Sequence, residues 1–325
     1  MVPRPASHSF AVGRDEAPAG LKGAVVAIGN FDGVHRGHRA VIDLACRRAA
    51  GLGKPAAALT FSPHPRQFFK PDVPLFRLSD DRNRLRLLAA TGLDGAIVMT
   101  FDAALASTTA EDFIGRILVG RFGISGAVIG FDFHFGKNRA GSPDYLRQQG
   151  AAHGFSVDVA PPLEDEGRPV SSGTVRAALS EGKVVEAGEL LGAPWFVSGE
   201  VIHGDKRGRE LGFPTANIRL DPACGLKHGI YAVRASLDGK LSDGVASFGR
   251  RPTFDNGAPL LEVFLFDYAA DLYGKVVDVA FISWVRGEEK FASIDDLKRH
   301  MDADAAQARA ALARARDAFP LLGAV

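Results

Sequence analysis

At Gly192-Ala193-Pro194-Trp195 the pattern of the chain changes, and that change sets its architecture. Ahead of it, from Ala24 to about Ala160, short apolar runs alternate with helical stretches. The runs predict strands over residues 24–28, 56–61, 95–100, 127–130 and 155–160, with helices near 39–50, 81–90, 110–121 and 143–153. Thr109, with Glu111 and Asp112 behind it, and Ser142-Pro143 mark two helix starts. This alternation implies a parallel, doubly wound sheet, with ligands beyond the carboxyl ends of its strands. Short helices over 174–180 and 183–191 lead to the change. Beyond it, strand-like runs follow at 195–203, 215–220, 229–237, 241–248, 260–267 and 276–285, with no helix between them. Asp238-Gly239 is a hairpin signal. Six such strands predict a closed antiparallel β-barrel, and Ser293 is placed to cap a final helix over 294–319. The expected fold is therefore an α/β doubly wound parallel-sheet domain over 15–191, then a six-stranded antiparallel β-barrel domain with a C-terminal helix over 192–325.

A length of 325 residues fits two domains, and 46% hydrophobic residues supply ample core. The formal net charge of +1 argues against nucleic acid as a partner. Cys46 and Cys224 stand far apart, which implies neither a disulfide framework nor a zinc site and fits the cytoplasm. The opening residues lack the apolar core of a secretory signal, and no 18-residue apolar run predicts a membrane span. Residues before about Leu21 read as a polar lead-in. No internal repeat joins the halves, so they are expected to do different jobs; assembly is left open, a homo-oligomer included.

Within the first half, the run 24–28 opens into Gly29-Asn30-Phe31-Asp32-Gly33, followed by His35 and His38 at the start of a helix. A helix N-terminus offers unpaired N–H groups and partial positive charge, Gly37 permits close backbone approach, and imidazoles donate to phosphate oxygens. A polyphosphate site is one reading of this stretch; a pair of surface histidines is the other. After the second strand, Pro63 and Pro65 stiffen a loop carrying His64 and Arg66, which either meets a ligand or is merely a rigid connection. After the fourth, Gly130-Phe131-Asp132-Phe133-His134-Phe135-Gly136 alternates aromatics between glycines, either to hold a flat ligand or to face the core, with Lys137 and Arg139 adding charge. In Ser171-Ser172-Gly173-Thr174-Val175-Arg176, an ordinary capped helix would account for Ser172 but not for Arg176.

The second half holds two candidate segments. Gly204, Lys206, Arg207, Gly208, Arg209 and Gly212 form a basic glycine-rich loop without the G-K-[ST] ending of a Walker A loop, able to wrap a polyphosphate or to serve as a solvated hairpin. Thr215 and Asn217 are hard oxygen donors two residues apart, hence on one face of a strand, where they could help hold Mg²⁺ on ATP phosphates. Glu262, amid the apolar residues 260–266, is either an outward solubiliser or a general base.

The ten residues Gly29-Asn30-Phe31-Asp32-Gly33-Val34-His35-Arg36-Gly37-His38 contain the H-x-G-H signature of nucleotidylyltransferases. The longer form resembles the adenylyltransferase half of the bacterial bifunctional riboflavin kinase/FMN adenylyltransferase (FAD synthetase) family. Gly130–Gly136 matches that family's G-x-D-F-x-F-G segment, Pro214-Thr215-Ala216-Asn217 its kinase P-T-A-N motif, and Leu261-Glu262-Val263 its L-E-V strand. Two departures stand out. Gly173 occupies the usual threonine position of a Ser-Ser-Thr motif, and Ser247-Phe248-Gly249 replaces Asn-Ile-Gly.

The resemblance spans about residues 21–310 and implies an enzyme that phosphorylates riboflavin to FMN and adenylylates FMN to FAD, with ATP as donor, Mg²⁺ as cofactor and pyrophosphate released. It implies His35 and His38 as charge stabilisers and Glu262 as base. It assigns Gly29, Asn30, Phe31, Asp32, Gly37, Ser172 and Arg176 to the adenylyl-donating nucleotide, and His64, Arg66, Asp132 and Phe133 to the flavin. The kinase nucleotide falls to Gly204, Lys206, Gly208, Arg209 and Gly212, and the metal to Thr215 and Asn217. The competing readings are a riboflavin kinase with a decayed adenylyltransferase half, a non-catalytic flavin-binding module, and a hydrolase for which no third metal ligand is in view.

Overall fold

A computed structural model describes residues 9–203, 213–250, 259–268, 270–315 and 318–325. It divides into two compact units. The first holds the described residues up to Leu75, with Ser79–Ser171 and Leu321–Val325; the second holds Phe76–Leu78 and Ser172–Pro320.

The first unit runs β1 (Ala11–Arg14), β2 (Val25–Ile28), α1 (Arg36–Leu52), β3 (Ala56–Ser62), α2 (Pro65–Phe69), α3 (Asp81–Ala89), β4 (Gly95–Thr100), α4 (Ala103–Ser107), α5 (Ala110–Asp112), β5 (Gly126–Gly130), α6 (Pro143–His153), β6 (Ser156–Ala160) and a small hairpin, β7 (Glu164–Asp165) and β8 (Arg168–Pro169). Six strands form one parallel sheet in the order β1-β4-β3-β2-β5-β6. Strands β2 and β3 are buried almost throughout, as a sheet covered on both faces requires. Val26, Ile28, Leu59, Ile97, Met99 and Ile129 join Phe113, Ile114, Leu118 and Leu146 in one apolar cluster, while α1 packs over β2, β3 and β5. The strand order reverses between β2 and β5. The loops after these two strands, Gly29–His35 and the aromatic segment from Phe131, therefore open into the crevice where doubly wound folds bind ligands.

Three expectations are corrected. The lead-in before Leu21 contains β1, whose four small or polar residues carry no periodic signal. It is held by ladder bonds along β4 and by the Asp15 carboxylate, which accepts from Thr100 N at 2.7 Å and Thr100 Oγ1 at 2.6 Å. The helix expected over 110–121 becomes a π-helix from Phe113 to Arg121. Its buried residues, Phe113, Ile114, Ile117 and Leu118, form two adjacent pairs four residues apart and face the core. The final helix stops at Arg314 rather than 319, for a reason found in the barrel.

In the second unit, α7 (Ser172–Ser180) and α8 (Val184–Leu191) precede β9 (Phe196–Ile202), β10 (Ala216–Arg219), β11 (Gly229–Leu237), β12 (Lys240–Arg250), β13 (Pro259–Leu265), β14 (Val276–Arg286) and α9 (Ile294–Arg314). The six strands close into an antiparallel barrel, β10-β13-β12-β11-β14-β9, as expected. Ile218, Leu261, Phe248 and Tyr231 fill the inside, and Tyr231 meets Phe281 and Trp284 edge-on at 5.2 and 5.0 Å. Burial pushes the Cys224 thiol up to about 11, so it stays protonated and unreactive at neutral pH.

Two arginines fasten α9 to the barrel. Arg286 grips buried Asp304 with two bonds of 2.8 and 2.7 Å. Arg234, buried on β11, donates to the Asp243 carboxylate at 2.7 Å and to the carbonyls of Ala315 at 2.7 Å and Leu312 at 3.4 Å. Those carbonyls are the acceptors another helical turn would use, so the guanidinium ends the helix while offsetting the negative end of its dipole. Arg234→Met should destabilise the second unit by about 2–3 kcal/mol through loss of charged hydrogen bonds. Both tryptophans, Trp195 and Trp284, lie in this unit, so fluorescence-detected urea unfolding of the full chain reads the change directly.

Candidate active sites

The first unit's candidate site begins where β2 ends. Helix α1 starts at Arg36, three residues earlier than expected, so both histidines belong to its N-terminus. His35 is the cap: its Nδ1 accepts from His38 N at 3.3 Å, which leaves Nε2 as the nitrogen that carries the proton in the neutral ring. The two imidazoles stack with centroids 3.6 Å apart. Phe31 stands edge-on to His38 at 5.2 Å. A Cβ at Gly37 would lie 3.0 Å from the Val170 carbonyl oxygen and 3.1 Å from His35 Nδ1, so a larger residue there would have to push these neighbours aside by a few tenths of an ångström.

The loop between β2 and α1 is strained. Phe31, Gly33 and Val34 all have positive φ, which for a β-branched valine is uncommon and costs roughly 1–3 kcal/mol. A set of polar contacts holds it. Buried Asp32 accepts from Ser79 N at 3.1 Å, and Gly33 N donates to Ser79 Oγ at 3.0 Å. The Asn30 carbonyl accepts from Thr60 Oγ1 and from Arg84 Nη1, each at 3.2 Å. Gly29 N continues the sheet ladder to Leu59 O at 3.1 Å. The hairpin β7–β8 is tied to the same helix start by Arg36 and Asp165 at 2.9 Å.

The other expected ligand residues of this unit occupy neighbouring strand ends. His64 caps α2, its Nδ1 accepting from Arg66 N at 3.1 Å, and Arg66 is exposed. After β5, Asp132 is exposed and Phe133 half-buried. Phe135 belongs to the core and carries Phe133 stacked on it at 5.5 Å, so the aromatic segment divides between core and surface. Ser172 opens α7, and Arg176 Nε donates to the Phe76 carbonyl at 2.5 Å; both residues belong to the second unit.

Sequence reasoning missed Ser79 and Arg84, and it missed an aromatic cluster beyond β3 and β4. Phe68 and Phe69 each meet Phe101 edge-on at 5.5 and 5.6 Å, and Phe61 lies beneath. Phe69 is 62% exposed. The only available signal was the density of phenylalanine in 61–69, which no periodicity organises.

In the second unit the strand register assembles the candidate residues. Asn217 on β10 pairs with Glu262 on β13, which pairs with Ser247 on β12. Aligned partners share a face, and this rung lies on the opposite face from Ile218, Leu261 and Phe248. Asn217 is buried, and its Nδ2 donates to the Thr215 carbonyl at 3.3 Å, which turns Oδ1 the other way. Phe213 and Phe264, 4.9 Å apart and edge-on, flank the rung. Gly204, Lys206, Gly208, Arg209 and Gly212 lie outside the described residues. No group of three or more His, Cys, Asp or Glu able to hold a metal occurs among the described residues, and none of their helices is long and apolar enough to cross a membrane.

Burial, and then the neighbouring His35, hold the His38 imidazole well below the ordinary value of 6.5, so it is neutral at pH 7. An unfolded chain would protonate that histidine first as pH falls, binding more protons than the folded one, so its contribution to stability declines below about pH 6.5. Chemical denaturation of His38→Gln should accordingly show a smaller loss of stability between about pH 7 and pH 5 than the unsubstituted protein.

Residues 17–174 match the FAD synthetase family and residues 191–312 the riboflavin kinase family. The chain is 41% identical over 290 residues to the bifunctional riboflavin kinase/FMN adenylyltransferase of Pseudomonas fluorescens, covering 89% of this chain and 93% of that one. It is 39% identical over 289 residues to the protein of the same name from Escherichia coli K12, covering 89% and 92%. The crystal structure of a macrolide-efflux protein from Streptococcus pneumoniae shares the fold, with a TM-score of 0.81 at 31% identity over 90% of this chain and 97% of the other. Two family matches in tandem, over a parallel sheet and a closed barrel of the expected kinds, place the chain in the bifunctional riboflavin kinase/FMN adenylyltransferase family, the enzymes that make FMN and FAD.

Proposed function

We propose that the two reactions divide between two centres, with adenylyl transfer at His35 and His38 and riboflavin phosphorylation at Glu262. The boundary between the functional domains is set at Gly192, giving 15–191 and 192–325, close to the spacing of the two family matches. The observation that carries the reading is the pairing of Asn217 with Glu262 across adjacent strands, which brings a carboxylate beside an amide oxygen on the face opposite Ile218, Leu261 and Phe248.

At the second centre, the Glu262 carboxylate takes the proton of riboflavin's primary hydroxyl while that oxygen bonds to the γ-phosphorus of ATP and the bond to the ADP oxygen breaks. Thr215 Oγ1 and Asn217 Oδ1 are the donors that would hold Mg²⁺. Two neutral oxygens suit an ion whose remaining ligands come from phosphate and water, and the bound ion supplies charge neutralisation on the phosphates. Ser247 extends the rung and orients the hydroxyl side of the acceptor.

At the first centre, an FMN phosphate oxygen attacks the α-phosphorus of ATP and pyrophosphate leaves. The N-terminus of α1 and the N–H donors of the stacked histidines stabilise charge on the transferring and leaving groups without a covalent intermediate. Gly29, Asn30, Phe31, Asp32 and Gly37 shape this pocket. The flavin ring rests on the exposed side of Phe69 near His64 and Arg66, with Asp132 and Phe133 facing it from the end of β5. The reactions belong to the cytoplasm, where ATP is plentiful.

Chromatographic separation of flavins checks the division. With riboflavin, ATP and Mg²⁺, His38→Ala should accumulate FMN and form no FAD. Glu262→Gln should lose about 10²–10⁴-fold in FMN formation, the usual weight of a general base, yet convert supplied FMN to FAD at the normal rate. Loss of both activities in either folded variant would sink the two-centre assignment. Phe69→Ala should raise KM for FMN in FAD formation about threefold to tenfold, as expected for one aromatic contact.

A further inference from the structure

We propose that Arg84, which no sequence motif marks, is a positioning residue for adenylyl transfer that fixes the spacing of the histidine loop against the loop carrying His64 and Arg66. The proposal rests on the assignment of adenylyl transfer to His35 and His38. Arg84 stands on α3 and is 3% exposed, so it does not reach a substrate. Its Nη1 donates both to the Asn30 carbonyl at 3.2 Å and to the Phe61 carbonyl at 3.0 Å. Those carbonyls belong to the loop after β2 and to Phe61, the next-to-last residue of β3, where the sheet ladder between the two strands gives out after Gly29. One planar guanidinium thus bridges the histidine loop to the end of β3, from which the segment carrying His64 and Arg66 departs, at a point where main-chain pairing no longer joins them. Its orientation is set from the far side. Nη2 donates to Asp81 Oδ1 at 3.2 Å, and Asp81 Oδ2 accepts from Ser62 Oγ at 2.5 Å, so the last residue of β3, where the second loop starts, is held by the same pair.

A buried cation of this kind is a poor stabiliser, since an apolar side chain of similar volume often serves a fold as well. What the guanidinium provides instead is a fixed distance. The two loops carry the two reactants of one displacement, and an error of about 1 Å in their approach costs on the order of 10²-fold in rate. Each loop keeps its own ligand contacts when Arg84 is lost, so the effect falls on turnover rather than on binding.

Steady-state kinetics of the full chain test this with Arg84→Met, Arg84→Lys and Asp81→Asn. Arg84→Met should lower kcat for FAD formation by about 10- to 100-fold with KM for ATP and FMN within about threefold, while FMN formation from riboflavin is unchanged. Arg84→Lys, which keeps one donor, should recover part of the loss, and Asp81→Asn should show a smaller loss in kcat alone. A wild-type kcat in Arg84→Met, or a change confined to KM, overturns the proposal. If Arg84→Met fails to fold its unit, seen as loss of a calorimetric transition with tryptophan fluorescence unchanged, the other two variants decide by the same split. His38→Ala run alongside separates the failures. Retained FAD synthesis there overturns the loop's catalytic assignment, whereas an inactive His38→Ala beside a fully active Arg84→Met overturns only the positioning role.

Discussion

The first unit depends on a short stretch of backbone that would not choose its own conformation. Phe31, Gly33 and Val34 all lie at positive φ, and only contacts from elsewhere in the chain keep them there. Ser79 clasps Asp32 and Gly33, Thr60 and Arg84 clasp the Asn30 carbonyl, and Phe31 is buried beneath. The result is that α1 begins with both histidines in its first turn, aimed from the crevice where the strand order reverses. A relaxed loop would still let the sheet form. It would not deliver the imidazoles to the end of a helix.

The two units solve the problem of placing polar groups in different ways. In the parallel sheet, the candidate site residues stand beyond the strands, because nearly every side chain within β2 and β3 is buried. In the barrel they stand on the strands themselves. Alternation sends Ile218, Leu261 and Phe248 inward and leaves Asn217, Glu262 and Ser247 on the other face, so the same three strands build the core and the candidate site. The barrel centre therefore needs no strained backbone among its described strands, only correct pairing.

Much of this was legible in the sequence because it rests on local pattern. Alternating strands and helices, six strands in succession, the glycine-flanked histidines and the two-residue spacing of Thr215 and Asn217 are all readable over short windows. The missing parts depend on contacts between distant residues. Arg84 looks like any surface arginine of an amphipathic helix, and only the fold turns it between the histidine loop and the end of β3. β1 has no apolar period, since an edge strand draws its stability from main-chain bonds. Phe68 and Phe69 on α2 and Phe101 after β4 meet only once β3 and β4 are paired. The carbonyls that end α9 are claimed by Arg234, 78 residues from Leu312 along the chain.

The register of the barrel has a consequence for how such a chain can vary. Because side chains alternate strictly, deleting one residue from Ala216–Arg219 would bring Ile218 to the position opposite Glu262 and send Asn217 out of line. A substitution at Ala216 alters one contact, whereas a change of length by a single residue exchanges the inner and outer faces of a whole strand. Insertions and deletions around β10 are thus confined to its connections, whereas the β11–β14 pair already absorbs two register shifts. The spacing from Thr215 to Asn217 is held as much by geometry as by chemistry.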